Sequence, residues 1–291
     1  MKTDKQAFFS ASDADSEGVE GRYFLWTIEE LEQSLTPAQA KLAIAVYGVS
    51  KAGNFPEGDA TILNMSGSLA DFARLNKLDS EQLYKDIDSI RETLHQKRQL
   101  RIAPAIDAKV VTAWNAMMIT ALAKAGKALN KEQYTMAAEN TAEFLWQTHY
   151  KATSDKPVLW RASLNGRPSV VATQLDYAYL AQAYVVLFDI TKDKKWLTRS
   201  KLLVADMIRL FWDKQDGSFF MTALVAENEQ EVPLFDRPRD IYDGAIPSGN
   251  ALALEVLSQL YYRTGNDYYH AKAMAMIASL SSIIKTSPVA F

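Results

Sequence analysis

The sequence predicts an all-α protein built as an array of helical hairpins, and three observations carry that prediction. Three segments share one apolar spacing. Trp114, Met117, Met118, Ala121, Leu122 and Ala125 fall at i, i+3, i+4, i+7, i+8 and i+11; Tyr177, Leu180, Ala181, Tyr184, Val185 and Phe188 repeat the offsets, as do Ala253, Val256, Leu257, Leu260, Tyr261 and Thr264. This is the stripe of a buried amphipathic helix. Each such helix is followed by a second one, giving a repeating unit of about 65 residues, a spacing typical of stacked or closed helical arrays. Each also starts just after a polar, turn-forming motif, which puts those motifs at one end of the array.

In chain order, residues 7–26 read as extended and looped, with an acidic turn from Asp13 to Gly21 and then the β-forming run Arg22-Tyr23-Phe24-Leu25-Trp26. Thr27 with Glu30 forms a capping box for a short helix. Thr36-Pro37-Ala38-Gln39 forms a second, which Gly48 closes. Residues 49–67 read as a long loop. Ser68 and Asp79 cap two further helices, the latter running to about Arg98. Pro104 breaks the chain ahead of the first long hairpin, 113–129 and 131–149, which turns at Asn130. Leu159-Trp160-Arg161 before Asn165-Gly166 predicts a small β-hairpin. The second long hairpin is 174–190 and 194–211. Asp216-Gly217 turns into a short strand, Phe219-Phe220-Met221, and an acidic loop from Glu227 to Glu231 leads to the last hairpin, 249–264 and 267–285.

No stretch reads as an interdomain linker or a low-complexity tract, so residues 1–291 are expected to form one domain. A closed toroid of six hairpins needs twelve helices. About ten are predicted here, the first four short, so the expected architecture is an incomplete toroid: an open arc, or a piece of something larger.

With 48% hydrophobic and 23% charged residues the chain has the composition of a soluble globular protein. A net charge of −3 provides no electrostatic footprint for nucleic acid. The basic cluster Lys97, Arg98 and Arg101 is read as complementing a helix dipole. The absence of cysteine excludes disulfides, thiol nucleophiles and cysteine zinc sites. The opening residues lack the apolar core of a signal peptide, and no run approaches about 18 uninterrupted apolar residues, so a cytoplasmic location without membrane contact is expected.

The chemistry-bearing candidates sit at the loop–helix junctions. Asp13-Ala14-Asp15-Ser16-Glu17-Gly18 matches the first half of an EF-hand loop, but the twelfth position is Phe24 instead of the bidentate Glu, which argues against a classical calcium site. The loop then reads either as carboxylates over a pocket or as a solvated turn. Asp107-Ala108-Lys109 precedes the first long helix, with Thr112 as its N-cap and Trp114 and Asn115 in its first turn. Asp176-Tyr177 starts the second hairpin. Asp243 to Asn250 starts the third, with Ser248 as N-cap. Singly, each is a capping or packing motif; together they place acids, amides and rings where a sugar-sized pocket could be lined. His95, His149 and His270 show no metal-ligand spacing and are assigned to surface or packing. No metal or cofactor is expected.

Taken together, Phe9 to Gly18, Glu20 to Thr27, Gly53-Asn54-Phe55, Lys97-Arg98, Asp107-x-Lys109, Thr112 to Asn115, Asp176-Tyr177-Ala178 and Asp243 to Asn250 resemble one family. They are similar to the YyaL-type proteins, relatives of spermatogenesis-associated protein 20. That resemblance implies an (α/α)6 barrel like those of N-acylglucosamine epimerases and six-hairpin glycosidases, here without the family's N-terminal thioredoxin-like domain. The family's Asp-Asp-Lys reads Asp107-Ala108-Lys109, its Trp-Asn-Gly reads Trp114-Asn115-Ala116, and its Leu-Asp-Asp-Tyr-Ala reads Gln174-Leu175-Asp176-Tyr177-Ala178. One acid is thus lost from each of two paired-acid motifs.

The leading expectation is a carbohydrate- or polyol-binding barrel. Asp13, Asp15, Asp107, Lys109, Trp114, Asn115, Tyr177, Ser248 and Asn250 would line its pocket, with Asp176 and Asp243 as the acid/base pair of any catalysis. The alternative is a non-catalytic scaffold. In either case the last helix carries Tyr269, Ala273, Met276, Ile277, Leu280 and Ile284 on one stripe, with Met274 and Ile283 beside it. Self-association or a partner protein is therefore expected at the first and last helices.

Overall fold

The computed structural model describes residues 6–56, 58–151, 157–223 and 237–287. The acidic loop Glu227–Glu231 and the residues from Pro288 onward lie outside them. The chain divides into two compact units: residues 12–107, and residues 1–11 together with 108–291.

In the first unit, Asp15–Ser16 and Val19–Glu20 form a two-residue antiparallel hairpin. Glu17 and Gly18 turn it, both with positive φ, and Arg22 pairs with Glu17 at 3.0 Å. The EF-hand-like acids therefore belong to a β-turn. Leu25–Trp26 pairs antiparallel with Thr61–Ile62, inside the stretch expected to be all loop. Four helices follow the sequence reading closely: α1 (Ile28–Ser34), α2 (Pro37–Val46), α3 (Leu69–Asn76) and α4 (Ser80–Gln99). Thr27/Glu30 and Thr36/Gln39 form reciprocal capping boxes, and Ser68 and Asp79 accept from the N–H groups of Asp71 and Gln82. Their buried faces, including Leu31, Ala43, Ala73, Ile87 and Ile90, make one core. Arg101 does more than complement a dipole. It donates to the carbonyls of Tyr23 and Leu25, pairs with Glu30 and lies 4.1 Å over the Trp26 ring, so it fixes the chain ahead of α1.

The second unit consists of three long hairpins: α5 (Thr112–Ala128) with α6 (Glu132–Thr148), α7 (Gln174–Thr191) with α8 (Lys194–Phe211), and α9 (Gly249–Thr264) with α10 (Asp267–Thr286). The first helices of the hairpins pack in sequence order, α5 on α7 and α7 on α9, and each packs on its own second helix. A four-stranded antiparallel sheet joins the hairpins: Lys109–Val111 beside Val158–Leu164 beside Arg167–Val171, with Tyr150–Lys151 also paired to Val158–Leu164. Asn165 and Gly166, both at positive φ, make the predicted turn. Phe219 contributes only an isolated bridge to Trp212 in place of the expected strand. Ten α-helices occur among the described residues, and none is long and apolar enough to cross a membrane.

Two helix assignments differ from the sequence reading. Thr112 is the first residue of α5 and not its cap. Its hydroxyl donates to the carbonyl of Trp160 at 2.6 Å and meets Nδ1 of His149 at 2.7 Å. The phase of α5 is also different. Its buried residues are Thr112, Ala113, Asn115, Ala116, Ile119, Ala123 and Gly126, while Trp114 and Met118 of the predicted stripe are exposed. Small side chains let α6 come close. A Cβ on Gly126 would lie 2.4 Å from Oγ1 of Thr135, so the hairpin closes on its small face and leaves the bulky one outside. α7, the central member of the row, is buried almost all round, and α9 buries the predicted stripe from Ala253 to Leu260.

Candidate functional site

The polar motifs at the helix starts are, first of all, clamps on crossing chain. Asn115 accepts from the N–H of Phe8 at 2.8 Å and donates to the carbonyls of Phe8 and Val111 at 3.0 Å. Asn250 repeats the device on Phe219, accepting its N–H at 2.9 Å and donating to its carbonyl at 3.0 Å, with a further bond to the carbonyl of Asp240. Both amides are buried, and both spend their donors and an acceptor on backbone. They hold the wall of the unit and offer no free group to a ligand.

Asp176 has a similar position. Its side chain is fully buried. Oδ1 accepts from the N–H of Ala113 at 3.3 Å, and Oδ2 accepts from Arg161 at 3.2 Å and from the N–H and hydroxyl of Thr173, both at 3.0 Å. One carboxylate thereby ties the starts of α5 and α7 to the central strand of the sheet. Burial pushes its pKa up, against the opposing pull of Arg161 and the Thr173 bonds. Tyr177 packs its ring edge-on against Phe211 and accepts from the N–H of Leu159, so its faces meet core atoms.

The start of α9 is different because its acids reach solvent. Asp243 accepts from the N–H of Ser248 at 2.8 Å, Asp240 from that of Gly249 at 3.0 Å, and Ser248 Oγ from that of Ala251 at 3.2 Å. Three first-turn donors are thus capped in succession, two of them by carboxylates that complement the helix dipole. Tyr179 stands beside them, its hydroxyl on the carbonyl of Pro247. Its pKa is raised by desolvation first, with the charges of Asp243 and Asp240 adding. One turn along, Gln182 of α7 donates to Glu255 of α9 at 3.0 Å, and further on Arg263 pairs with Asp189. On α5 the Trp114 ring is 48% exposed. A groove of about 480 Å³ opens at the far ends of α5 and α7, lined by Lys124, Lys127, Val186 and Asp189.

The structure thus gathers Asp243 and Ser248 with Asp240 and Tyr179, which the motifs had not singled out; an acid three residues ahead of Asp243 was the available signal. Lys109 lies in an edge strand of the same unit. Asp13, Asp15 and Asp107 belong to the other unit, where Asp13 accepts from the N–H of Asp15 at 3.3 Å. No group of three or more acidic or histidine side chains able to hold a metal occurs among the described residues. His149 is a buried packing residue, held between Thr112 and Ser163. His95 and His270 are exposed.

No family model matches the sequence. The chain is 29% identical over 314 aligned residues to human spermatogenesis-associated protein 20 (Homo sapiens), an alignment that covers 97% of this chain and 39% of that one. An uncharacterized protein of Caenorhabditis elegans is 28% identical over 97% of this chain and 41% of its own. The chain therefore spans about two fifths of the curated relatives it matches. Among solved structures, a family 76 glycoside hydrolase from a bovine Bacteroides thetaiotaomicron strain superposes with a TM-score of 0.50 at 15% identity, covering 88% of this chain and 57% of that one. A cellobiose 2-epimerase from Spirochaeta thermophila gives a TM-score of 0.48 at 18% identity, covering 61% and 44%. The fold is the helical-hairpin toroid type, and the chain is similar along nearly its whole length to spermatogenesis-associated protein 20.

Proposed function

We propose that the three-hairpin unit binds a carbohydrate or similar polyol on the face that α5, α7 and α9 leave uncovered. The carrying observation is Trp114. It stands half-exposed in the first turn of α5, between buried Ala113 and buried Asn115, so a rigid backbone presents a flat apolar ring to solvent. Such a ring suits the C–H face of a sugar, with polar groups nearby to fix its hydroxyls. Asp243, Asp240 and the Gln182–Glu255 pair supply acceptors and donors within the same unit. The likeness to a family 76 glycoside hydrolase agrees with this reading at the level of fold. Glycosidic chemistry requires one protonated and one ionised carboxyl within reach of the bond. In this reading Asp176 serves as a positioning residue, because its carboxylate is sealed. Asp243, with Asp240 or Glu255, provides the acids that reach substrate.

Isothermal calorimetry with a panel of mono- and disaccharides tests the proposal. Saturable heat that Trp114→Ala weakens about tenfold or more is expected. No heat from any sugar, with the protein shown folded, overturns it.

A second reading, a scaffold acting through protein contacts, is favoured by the last hairpin. Tyr262 of α9 is 83% exposed, and Tyr268, Met274 and Ile277 of α10 are about half-exposed. Exposed apolar side chains on one hairpin support this reading.

A further inference from the structure

A cavity of about 450 Å³ lies wholly within residues 12–107. One wall is a single face of α4, on which Arg91, Leu94, His95 and Arg98 recur at i, i+3, i+4 and i+7; the other is built from Trp26 and Tyr47. Its volume is that of a small-metabolite pocket.

The charge of this cavity is one-sided. Among the described residues no carboxylate lines it. Arg91 is bonded to the Tyr47 hydroxyl at 3.3 Å and, among the described acids, reaches the exposed Asp88 at 3.5 Å. Arg98 pairs with no acid among the described residues. Its guanidinium lies over the rings of Tyr23 and Phe24, 5.6 and 5.3 Å from their centroids, and one terminal nitrogen meets Nδ1 of His95 at 3.4 Å. Its Nε is shielded from water and, among the described residues, bonds nothing. Arg91 and Arg98 thus bring two guanidinium groups to one wall of the cavity, and an anionic oxygen between them would gain charge-assisted hydrogen bonds. Of the rest of the lining, Leu63, Met65 and Leu94 are apolar and suit a flat body, and Asn64 adds one amide.

We propose that this cavity binds a small anion, a phosphate or carboxylate on a flat apolar body, with the acid group on Arg98 and the body against Leu63 and Met65. The site is independent of the sugar reading, since every lining residue belongs to the other unit.

Calorimetric titration with phenyl phosphate, benzoate and neutral benzyl alcohol tests it, and the first two arms tell phosphate from carboxylate. Saturable binding of at least one anion is expected, with benzyl alcohol about tenfold weaker or worse. Arg98→Gln should weaken the anion about tenfold or more, while Lys97→Gln, one residue along on the exposed side, should leave it within about twofold. Met65→Asp, which puts a carboxylate on a partly exposed loop at the cavity, supplies a second variant that should also abolish binding. Absence of saturable binding overturns the proposal, as does anion binding that survives both Arg98→Gln and Met65→Asp. An equal loss in Lys97→Gln would overturn it too, by showing unspecific attraction to a basic surface.

Discussion

Acidification from pH 7.5 to 4.5 is expected to destabilise the hairpin unit through one residue, His149. Its imidazole is fully buried where the end of α6 meets the start of α5 and the central strand. The Thr112 hydroxyl donates to the Trp160 carbonyl, so it accepts from Nδ1–H of the ring, while Nε2 accepts from the Ser163 hydroxyl. That network fits the neutral ring. Burial lowers the pKa from 6.5 to about 4. The unfolded chain therefore binds a proton between pH 6.5 and 4 that the folded chain refuses. Stability from this group is complete above pH 6.5 and is lost as pH falls through the folded value. A depression of this size corresponds to about 3 kcal/mol in total, most of it gone by pH 4.5. Asp176 has the opposite sign. Its raised pKa makes the folded state hold a proton more tightly, a contribution present at low pH and lost as pH rises through the raised value. The histidine is isolated by comparison with His149→Asn, which keeps a donor toward Thr112 and cannot titrate. Urea unfolding at pH 7.5, 6.5, 5.5 and 4.5 should show the variant less stable at neutral pH, with the gap narrowing by about 2–3 kcal/mol on acidification. Curves that stay parallel across this range would refute the argument that the ring is held neutral.

Asn250→Ala should cost about 2–3 kcal/mol, because it strands the buried N–H and carbonyl of Phe219, and Asn115→Ala somewhat less; urea midpoints at unchanged m-value check both. Gly126→Ala should destabilise by about 1–3 kcal/mol, since the new methyl would sit 2.9 Å from the backbone nitrogen of Thr135. A thermal midpoint within a degree of the parent would contradict the close approach of α5 and α6. Sedimentation equilibrium at micromolar concentration should show self-association through the apolar surface of the last hairpin, weakened by Met274→Lys with Ile277→Lys. A monodisperse monomer would count against the interface.

Much of the fold was legible because its signals are local. Each long helix has bounds within a residue or two of those read from the sequence, since caps such as Ser248 and turns such as Asn130 and Gly265 act on neighbouring backbone. The phase of α5 was not legible. Trp114, Met117 and Met118 satisfy a helical period as well as Ala113, Ala116 and Ile119 do, and period alone cannot choose between two apolar faces. What decided was the partner: Gly126 facing Thr135 sets a short interhelical distance that only the small face can meet. Arg101 and Arg98 show the same limit. One basic cluster at one helix end contains a residue committed to backbone carbonyls and another whose Nε has no partner among the described residues, a difference made by residues more than seventy positions away.

The site was legible only as a location, for a reason that applies to hairpin arrays generally. Wherever a connecting segment crosses a helix start, its backbone N–H and carbonyl leave water and need partners. An asparagine in the first turn answers both at once, having an acceptor and two donors on one rigid amide. Phe8 and Phe219 receive the same treatment from Asn115 and Asn250, although the crossing segments come from different parts of the chain. Asp176 does the equivalent for Ala113 and Thr173 with a carboxylate. A dense row of amides and acids at one end of such an array therefore measures how much chain crosses that end, before it measures anything about a ligand. The residues that remain eligible are those whose atoms are not consumed by the crossing, and burial sorts them: Asp176, Asn115, Asn250 and Tyr177 are sealed, whereas Trp114 and Asp243 face solvent. The proposed function rests on that second group. Replacing the exposed ring should alter binding and leave stability nearly unchanged, replacing Asp243 should alter binding and also remove one bond at the start of α9, and replacing the sealed residues should act on stability first.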